Sequence, residues 1–476
     1  MTEVVPRVGL KLYQFQRVGA AFLRDRQLAG LFDDMGLGKT VQALVAFDRV
    51  QPVLVAAPSI ATDNWAHECR RWLPERTVSV QRARRTFRWP RAGELRSMSY
   101  GMLPPSAREI ADAKLHAVAM EAQWTQADQR RHRARVARLE RERKRLTLPW
   151  PNTVLVADEA QFLKNPSATR TKRWRELAAL VYRQGGRIWI LTGTPLENRY
   201  DELWSVLQAA GLGSSIFGSR GAFRGACAIG GSAGEKLRTA TLRRLRYDVL
   251  PDLPRKRREI RLVRLDPATR KECDDLVAAL RGRGVVLEQA TLEEIKRAQE
   301  DAGIAAHVSQ TRVALAKAKL PYALDFVTWM EGEGEPVVVF CSHRAPIDLL
   351  GARPGWTAIT GDEDQREKFR RARGFQEGRY RGVAISTRAA STAINLDRAW
   401  RSLWIDLEWT PAKIDQGEDR LLRLTQKAAS VLHTRLVADH PLERRIEFLL
   451  REKQERIDNV VNASAVRAEN PRGAQP

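Results

Sequence analysis

Little in this sequence would tie the chain to a membrane or to the cell exterior. Across 476 residues no apolar run approaches the ~18 consecutive residues that a bilayer span requires, and the opening MTEVVPRVGLKLYQFQ lacks the apolar stretch of a secretion signal. Cys69, Cys227, Cys273 and Cys341 are scattered singly, with neither C-x-x-C spacing nor histidine partners. That spacing excludes a zinc ribbon and a disulfide framework and predicts a reducing cytosol. Acidic residues are also short: 57 Asp and Glu against 81 Lys and Arg leave a net charge of +24. The surplus is spread from end to end rather than gathered in a tail. It predicts a polyanionic partner, because phosphate backbones attract such a surface through counterion release; a merely solvated basic surface is the other reading. No internal repeat is present, and at ~150 residues per domain the length predicts two or three domains.

Short β-branched runs alternate with helical stretches. In the first half these are PVLVAAPS, NTVLVADEA and RIWILTGTP; in the second they are EPVVVFCSH, GVAISTRA, SLWIDLEW and ASVLHTRLVA. Strands alternating with helices predict parallel, doubly wound sheets, whose ligands gather beyond the carboxyl ends of the strands. The two clusters of runs predict a first lobe over 1–206 and a second over 335–450, joined by a helical connector over 207–334. Residues 106–148 interrupt the first lobe. Their second half, QRRHRARVARLERERKRL, is almost wholly basic, with Val136, Leu139 and Leu146 at helical spacing. This predicts a helical protrusion, read either as a DNA-facing arm or as a solvated helix. The polar stretch over 451–476 lacks periodicity and is expected to be a mobile tail.

The most specific stretch is LFDDMGLGKT, Leu31 to Thr40. The usual phosphate loop reads G-x-x-x-x-G-K-[ST], and here Asp33 stands where the first glycine belongs. Gly36 and Gly38 still allow the chain to curl its N–H groups around phosphate oxygens. Lys39 is placed to reach the β- and γ-phosphates and Thr40 to hold Mg²⁺. The following VQALVAFDRV reads as a helix whose positive N-terminus faces the same phosphates. Asp158 and Glu159 close the run TVLVA. A carboxylate at a strand tip suits Mg²⁺, and a second beside it suits the attacking water, so Asp158 takes the first role and Glu159 the second. QGEDRLLRLTQ offers Arg420 and Arg423, expected one helical turn apart on one face, as cations for the γ-phosphate in the transition state.

The order of these motifs resembles the Swi/Snf-type ATPases of helicase superfamily two, most closely their compact SMARCA-like annealing-helicase branch, over Leu10 to Lys453. The family's phosphate loop reads D-[DE]-M-G-L-G-K-T, so DDMGLGKT is its ordinary form, and the resemblance implies nucleotide contacts for Asp34, Met35, Gly36, Leu37, Gly38, Lys39 and Thr40. LYQFQRVGAAFL resembles the adenine-reading segment through Gln16, with Phe15 beside it. AAPSIATDNWAHECRRW resembles motif Ia through Ser59, Asn64 and Trp65, and SMSYGML resembles motif Ib through Ser99 and Tyr100; both contact DNA in relatives. DEAQFLKNP resembles D-E-A-H-x-x-K-N. LTGTPLENRYDELWSVL resembles motif III through Thr192, Gly193 and Thr194, which couple the nucleotide site to DNA. TLRRLRYDVLPDLP matches the basic brace. VVVFCSHR (Ser342, His343) resembles motif IV, STRAASTAINL (Ser386, Thr387) motif V, and WTPAKIDQGEDRLLRLTQ motif VI, which implies arginine-finger roles for Arg420 and Arg423 and a place for Gln416.

The resemblance implies an α/β fold of two RecA-like doubly wound parallel-sheet lobes, a helical connector and a basic helical insertion. It also implies an ATP- and Mg²⁺-dependent translocase on double-stranded or forked DNA. A strand-separating or strand-annealing helicase and a catalytically silent DNA-binding scaffold are the alternatives. A cytoplasmic monomer in a bacterial or viral setting, or a nuclear one in a eukaryote, with room for a protein loading partner and without accessory domains, is the accompanying expectation. Four positions depart from the family: Gln161 replaces a histidine after D-E-A, Leu422 and Thr425 stand where relatives carry histidine and glycine, and Ala393 replaces a glycine. These bear on DNA coupling more than on hydrolysis, since Gln161 keeps the hydrogen bonding of histidine without its charge.

Overall fold

A computed structural model describes residues 10–84, 87–120, 123–144, 146–228, 231–282, 284, 286, 289, 294, 302–387, 389, 394–406, 411–423 and 425–465. Within these, the chain divides into two compact units, one running to Pro251 and resuming at Ile457, the other spanning Asp252–Arg456.

The first unit is built on β1 (Leu28–Leu31), β2 (Val53–Ala57), β3 (Thr77–Gln81), β4 (Glu94–Ser99), β5 (Val154–Asp158), β6 (Arg187–Leu191) and β7 (Thr241–Leu242). They form one sheet in the order β3-β4-β2-β5-β6-β1-β7, with every pairing parallel. Along each strand alternate side chains enter opposite cores. Leu54, Ala56, Leu155, Ala157, Ile188 and Ile190 face one core, while Val53, Val55, Val154, Val156, Trp189 and Leu191 face the other. Both faces are therefore covered, and so the central strands read as unbroken apolar runs. Helices α1 (Gln14–Arg24), α2 (Lys39–Ala46) and α3 (Ser59–Trp72) supply Leu23, Leu44, Trp65 and Cys69 to the second core. Between β4 and β5 come α4 (Ala107–Met120) and α5 (Gln126–Lys144), the expected insertion, and α6 (Thr169–Arg183) then packs Trp174, Leu177 and Val181 into the first core.

Register sets where chemistry can occur. Leu31 and Asp158 both pair with Leu191, and Ala57 pairs with Ser99. The carboxyl ends of β1, β5 and β6 are therefore level, as are those of β2 and β4.

The second unit holds β8 (Arg255–Val263), β9 (Val337–Cys341), β10 (Trp356–Ile359), β11 (Gly382–Ser386), β12 (Arg401–Trp404) and β13 (Ser430–Ala438), in the parallel order β10-β11-β9-β12-β13-β8. Val337, Val339, Leu403 and Ile405 pack there against Ala323, Val327, Ile347 and Leu350.

Each of the seven expected runs contains a strand; among the described residues six more strands escaped the apolar pattern. The clearest case is β8, whose RKRREIRLV lies within the expected connector. It pairs with β13 through nine residues from Arg255↔Ser430 to Val263↔Ala438. It is an edge strand with mostly exposed side chains, so its ladder, not burial, makes it a strand, and its charge guards the edge. The stretch 207–334 is thus shared, completing the first unit through β7 and opening the second at β8. The expected tail is also corrected. A helix runs from Pro441 to Val460, and Val460 and Val461 are buried in the first unit's core because their apolar pair meets it there. Residues 466–476, Arg145, Ala393, Trp409 of the W-x-P match and most of 292–300 lie outside the described residues.

Gly417, in the helix Pro411–Glu418, lies close against Trp404: a Cβ there would sit 2.7 Å from the Trp404 ring and 3.3 Å from Phe340. Those rings stack at 4.2 Å between centroids. Gly417→Ala is expected to destabilise the second unit by about 1–3 kcal/mol through overpacking, despite alanine's better helix propensity. A chemical-denaturation midpoint equal to wild type would show that this helix does not press on Trp404.

Candidate nucleotide-binding site

After β1 the chain turns through Phe32–Gly38 and enters α2 at Lys39. Gly36 and Gly38 take φ of +86° and +71°, a region that glycine alone enters without steric cost. The Lys39 ammonium curls back over the loop and donates to the carbonyls of Asp33 (2.8 Å) and Asp34 (3.1 Å). Burial lowers its pKa, opposed by Glu159, Asp33, Asp158 and Asp34. Gln16 from α1 reaches the same loop: its Nε2 lies 3.4 Å from Leu37 O, and a Cβ on Gly38 would come within 2.6 Å of it. Phe15 is buried, stacked on Tyr13 with Arg244 over its ring. The helix after the loop ends at Ala46, where Phe47 turns to extended backbone, four residues short of the expected run.

The two aspartates of the loop each meet an arginine that follows β7. Asp33, without solvent exposure, accepts from Arg244 Nε at 2.9 Å and from Arg244 Nη2, and also from Gln42 Nε2 at 3.0 Å. Arg244 Nη2 also donates to Gln42 Oε1 at 2.7 Å, closing the triangle. Asp34 accepts from Arg243 Nη2 at 2.7 Å and from the Arg246 amide at 3.1 Å. Arg243 also donates to Phe32 O (2.6 Å) of the same loop and ties two more segments to it, donating to Gly193 O (2.9 Å) and to Asn462 Oδ1 (2.8 Å). The sequence reading missed Arg243, Arg244, Gln42 and Asn462. The signal was present as two adjacent acids in one turn and two adjacent cations in the brace, but pairing them requires knowing that β7 lies beside β1.

Beyond β5 the acidic pair is held from several sides. Asp158 Oδ2 accepts from Trp65 Nε1 at 2.7 Å, Oδ1 accepts from the Glu159 amide at 3.0 Å, and the Asp158 carbonyl accepts from the Tyr100 hydroxyl at 2.8 Å. Burial first, then the neighbouring Glu159, pushes the Asp158 carboxyl up to about 6. Glu159 is at φ +50°, a left-handed conformation that costs a non-glycine residue roughly 1–2 kcal/mol and turns the chain sharply after the strand. Its Oε2 accepts from Gln161 Nε2 (2.8 Å), and Gln161 Oε1 accepts from Thr192 Oγ1 (2.6 Å), which in turn accepts from the Thr194 amide (3.0 Å). Gln161 therefore links Glu159 to Thr192 through its amide. Gly193 completes the contact with the loop: a Cβ there would lie 2.8 Å from Met35 Cγ and 3.3 Å from Lys39 Nζ.

Two of the expected DNA contacts are largely enclosed. Trp65 and Tyr100 are buried and spend their polar atoms on Asp158, because an aromatic side chain whose N–H or O–H finds a partner inside packs there at low cost. They position the acidic pair. Ser59 and Asn64 are exposed; Ser59, Ser99 and the edge of Tyr100 line a groove of about 470 Å³ with Pro58, Phe162, Arg170 and Arg173.

In the second unit, Ser342 and Thr387 meet through their hydroxyls at 3.0 Å, and Asp406 accepts the Ser342 amide at 2.8 Å. His343 Nε2 lies 3.3 Å from Asp406, and burial lowers the imidazole pKa against the pull of that carboxylate. Ser386 caps the next turn by accepting from the Ala389 amide at 3.1 Å. Arg388 and residues 390–393 of the motif V match lie outside the described residues. Arg420 and Arg423 do not share a helix face. The helix carrying Gln416 ends at Glu418, and the chain leaves through a turn in which Arg420 O accepts from Leu396 N at 2.9 Å and Arg423 Nε donates to Asn395 at 3.2 Å. Glu418 pins the helix end, accepting from Arg258 Nη2 (2.6 Å) and Arg435 Nη2 (2.9 Å). Burial would raise its pKa, but Lys256, Arg258 and Arg435 hold it well below the usual range.

Among the described residues no cluster of three His, Cys, Asp or Glu side chains forms a metal cage. The Thr40 hydroxyl and the Asp158 carboxylate are hard oxygen donors of the kind Mg²⁺ accepts, with waters and substrate phosphates filling its remaining positions, so the residues fit that ion.

The family profile of the SNF2-related domain matches residues 15–318, and that of the helicase conserved C-terminal domain matches residues 318–425. The chain is 26% identical to the SWI/SNF-related matrix-associated actin-dependent regulator of chromatin subfamily A-like protein 1 of Xenopus tropicalis, over 91% of this chain and 43% of that protein. It is 23% identical to the human DNA annealing helicase and endonuclease ZRANB3, over 96% of this chain and 41% of that protein. The chain thus spans less than half the length of these two relatives. A solved SWI2/SNF2 ATPase core of Sulfolobus solfataricus in complex with dsDNA aligns over 100% of this chain and 99% of that one, at 21% identity and a TM-score of 0.41, too loose a likeness to bear on function.

Asp33→Ala leaves the Arg244 guanidinium buried without its counter-charge and is expected to destabilise the first unit by about 3–5 kcal/mol. Combining it with Arg244→Ala is expected to cost clearly less than the sum of the two single changes in a denaturation cycle. Additive losses would mean that the pair does not interact.

Proposed function

The chain belongs to the SNF2-related family, and we propose that it hydrolyses ATP to drive movement along double-stranded DNA. The observation that carries this reading is the convergence, at the level carboxyl ends of β1, β5 and β6, of the Lys39 loop, the Asp158–Glu159 pair and the Gln161–Thr192 link.

In this reading the loop amides and the N-terminus of α2 cradle the ATP phosphates, Lys39 turns from the loop carbonyls to the β- and γ-phosphates, and Gln16 reads the adenine. Thr40 and Asp158 hold Mg²⁺, which when bound offsets phosphate charge. Trp65 and Tyr100 keep Asp158 in place for that role. Glu159 orients the attacking water and takes its proton as the water oxygen bonds to the γ-phosphorus and the bond to the β-bridging oxygen breaks. Gln161 occupies only Oε2; Oε1 makes no hydrogen bond among the described residues and suits the water. Arg420 and Arg423 supply positive charge to the transition state, with Gln416 beside them. Because Gln161 bonds to both Glu159 and Thr192, a shift of the Thr192–Thr194 turn would move the base itself, which supports coupling between hydrolysis and DNA contact. Ser59, Asn64 and Ser99 in the first unit, and Ser342, His343, Ser386 and Thr387 in the second, are the DNA contacts of this reading. A cytoplasmic monomer, loaded by a protein partner, completes it.

Glu159→Gln is expected to lower ATP turnover by about 10²–10⁴-fold while leaving nucleotide affinity near wild type. Normal turnover in that variant would sink the assignment of the base. Duplex DNA is expected to stimulate wild-type ATPase and support triplex displacement without unwinding a tailed duplex. Unwinding would favour a strand-separating helicase, and re-pairing of melted strands an annealing one.

A further inference from the structure

The proposed reaction makes no use of α5, yet this helix has an unusual distribution of charge. At 3.6 residues per turn, Arg130, Arg133, Arg138 and Arg141 fall within a sector of about 140°. All four are exposed, and none has an ion pair or hydrogen bond among the described residues. Leu139, on the opposite side, is buried. The three carboxylates of α5 lie off this face and are already engaged. Asp128 pairs with Arg131 at 2.9 Å, Glu140 with Lys114 at 2.7 Å and Glu142 with Arg84 at 2.6 Å. A solvated helix ordinarily intersperses its signs, whereas here every acid is spent elsewhere and one face is left purely cationic.

The face is held firmly. His132 Nε2 lies 2.9 Å from Ala113 O on α4, and Arg143 pairs with Glu176 of α6. On α4, Glu109 takes a two-pronged bond from Arg173, at 2.7 Å on each oxygen. Arg173 also lines the groove that holds Ser59 and Ser99, so the arm is rooted beside the proposed DNA path.

We propose that this face of α5 is a phosphate-binding surface for duplex DNA, additional to the motif contacts; the inference rests on the translocase reading. From Arg130 to Arg141 the helix rises about 16 Å, and duplex DNA carries roughly one charge per 1.7 Å of axis, so successive backbone phosphates fall within reach of the row. Guanidinium suits phosphate because it bonds through two parallel N–H groups. Ala127, Ala134 and Ala137 lie between the arginines and let the backbone come close. The face has no aromatic side chain to stack an unpaired base, which favours duplex over single strand. Trp124, at the turn before α5, is half-buried between His116 and His132.

The test replaces all four arginines with alanine in the full chain and measures affinity for a random-sequence duplex from 50 to 200 mM salt. The slope of log K against log salt is expected to shrink by about 0.9 per lost contact, up to about 3–4 in all. DNA-free ATPase should hold, and the duplex concentration giving half-maximal stimulation should rise at least tenfold. The matching four-lysine variant should restore the salt slope. An unchanged slope and an unchanged half-stimulation point in the alanine variant would overturn the proposal, as would an equal loss on single-stranded DNA. Retained DNA binding with loss of an acidic protein partner would overturn it in favour of protein docking. Failure of the wild type to bind duplex or to be stimulated by it would instead sink the translocase reading.

Discussion

A carboxylate with no solvent exposure needs a cation beside it, and Asp33 finds Arg244 there. That pairing sets much of the first unit. Asp33 and Asp34 open the phosphate loop, while Arg243 and Arg244 follow the last strand of the sheet, so the loop is bound to a segment about 210 residues away in sequence. Removing either partner leaves a buried charge without compensation, which is costlier than the pair is stabilising. The loop can therefore take its shape only when β7 has docked. Arg243 extends the same constraint to the carbonyl of Gly193 and to Asn462. One pair of guanidiniums thus holds in register the phosphate loop, the Thr192–Thr194 turn and the returning end of the chain.

Strain and polarity are concentrated on the other side of the site. Glu159 is held in a left-handed conformation by the strand before it and the short helix Ala160–Leu163 after it. The acid beside it is fastened by Trp65 and Tyr100, residues whose sequence matches had suggested surface roles. Gln161 gives a neutral connection from Glu159 to Thr192. Since neither end of its amide titrates, this link keeps the same polarity across the range in which a histidine would change charge.

The apolar runs showed seven strands because central parallel strands are buried on both faces and need no polar alternation. The same rule hid β8, whose side chains are largely exposed and basic, and β7, which is two residues long. The helix predicted through Arg420 and Arg423 ends at Glu418, a buried carboxylate held by Arg258 and Arg435 from two neighbouring strands. The polar end of the chain appeared featureless, yet Val460 and Val461 bury themselves against a core whose other members lie far upstream.

Local chemistry was legible by itself: which residues bend freely, which carry a phosphate-seeking cation, which acids end a strand. Gly36, Gly38, Lys39, Asp158 and Glu159 belong to that class, since each role follows from residue type and its immediate neighbours. Their partners were decided only in three dimensions. Whether Asp33 is a flaw in the loop or its anchor depends on Arg244. Whether Trp65 touches a ligand or holds Asp158 depends on the packing of α3 beneath the sheet. Burial and ion pairing are relations between distant segments, and a linear reading has no measure of distance across the fold.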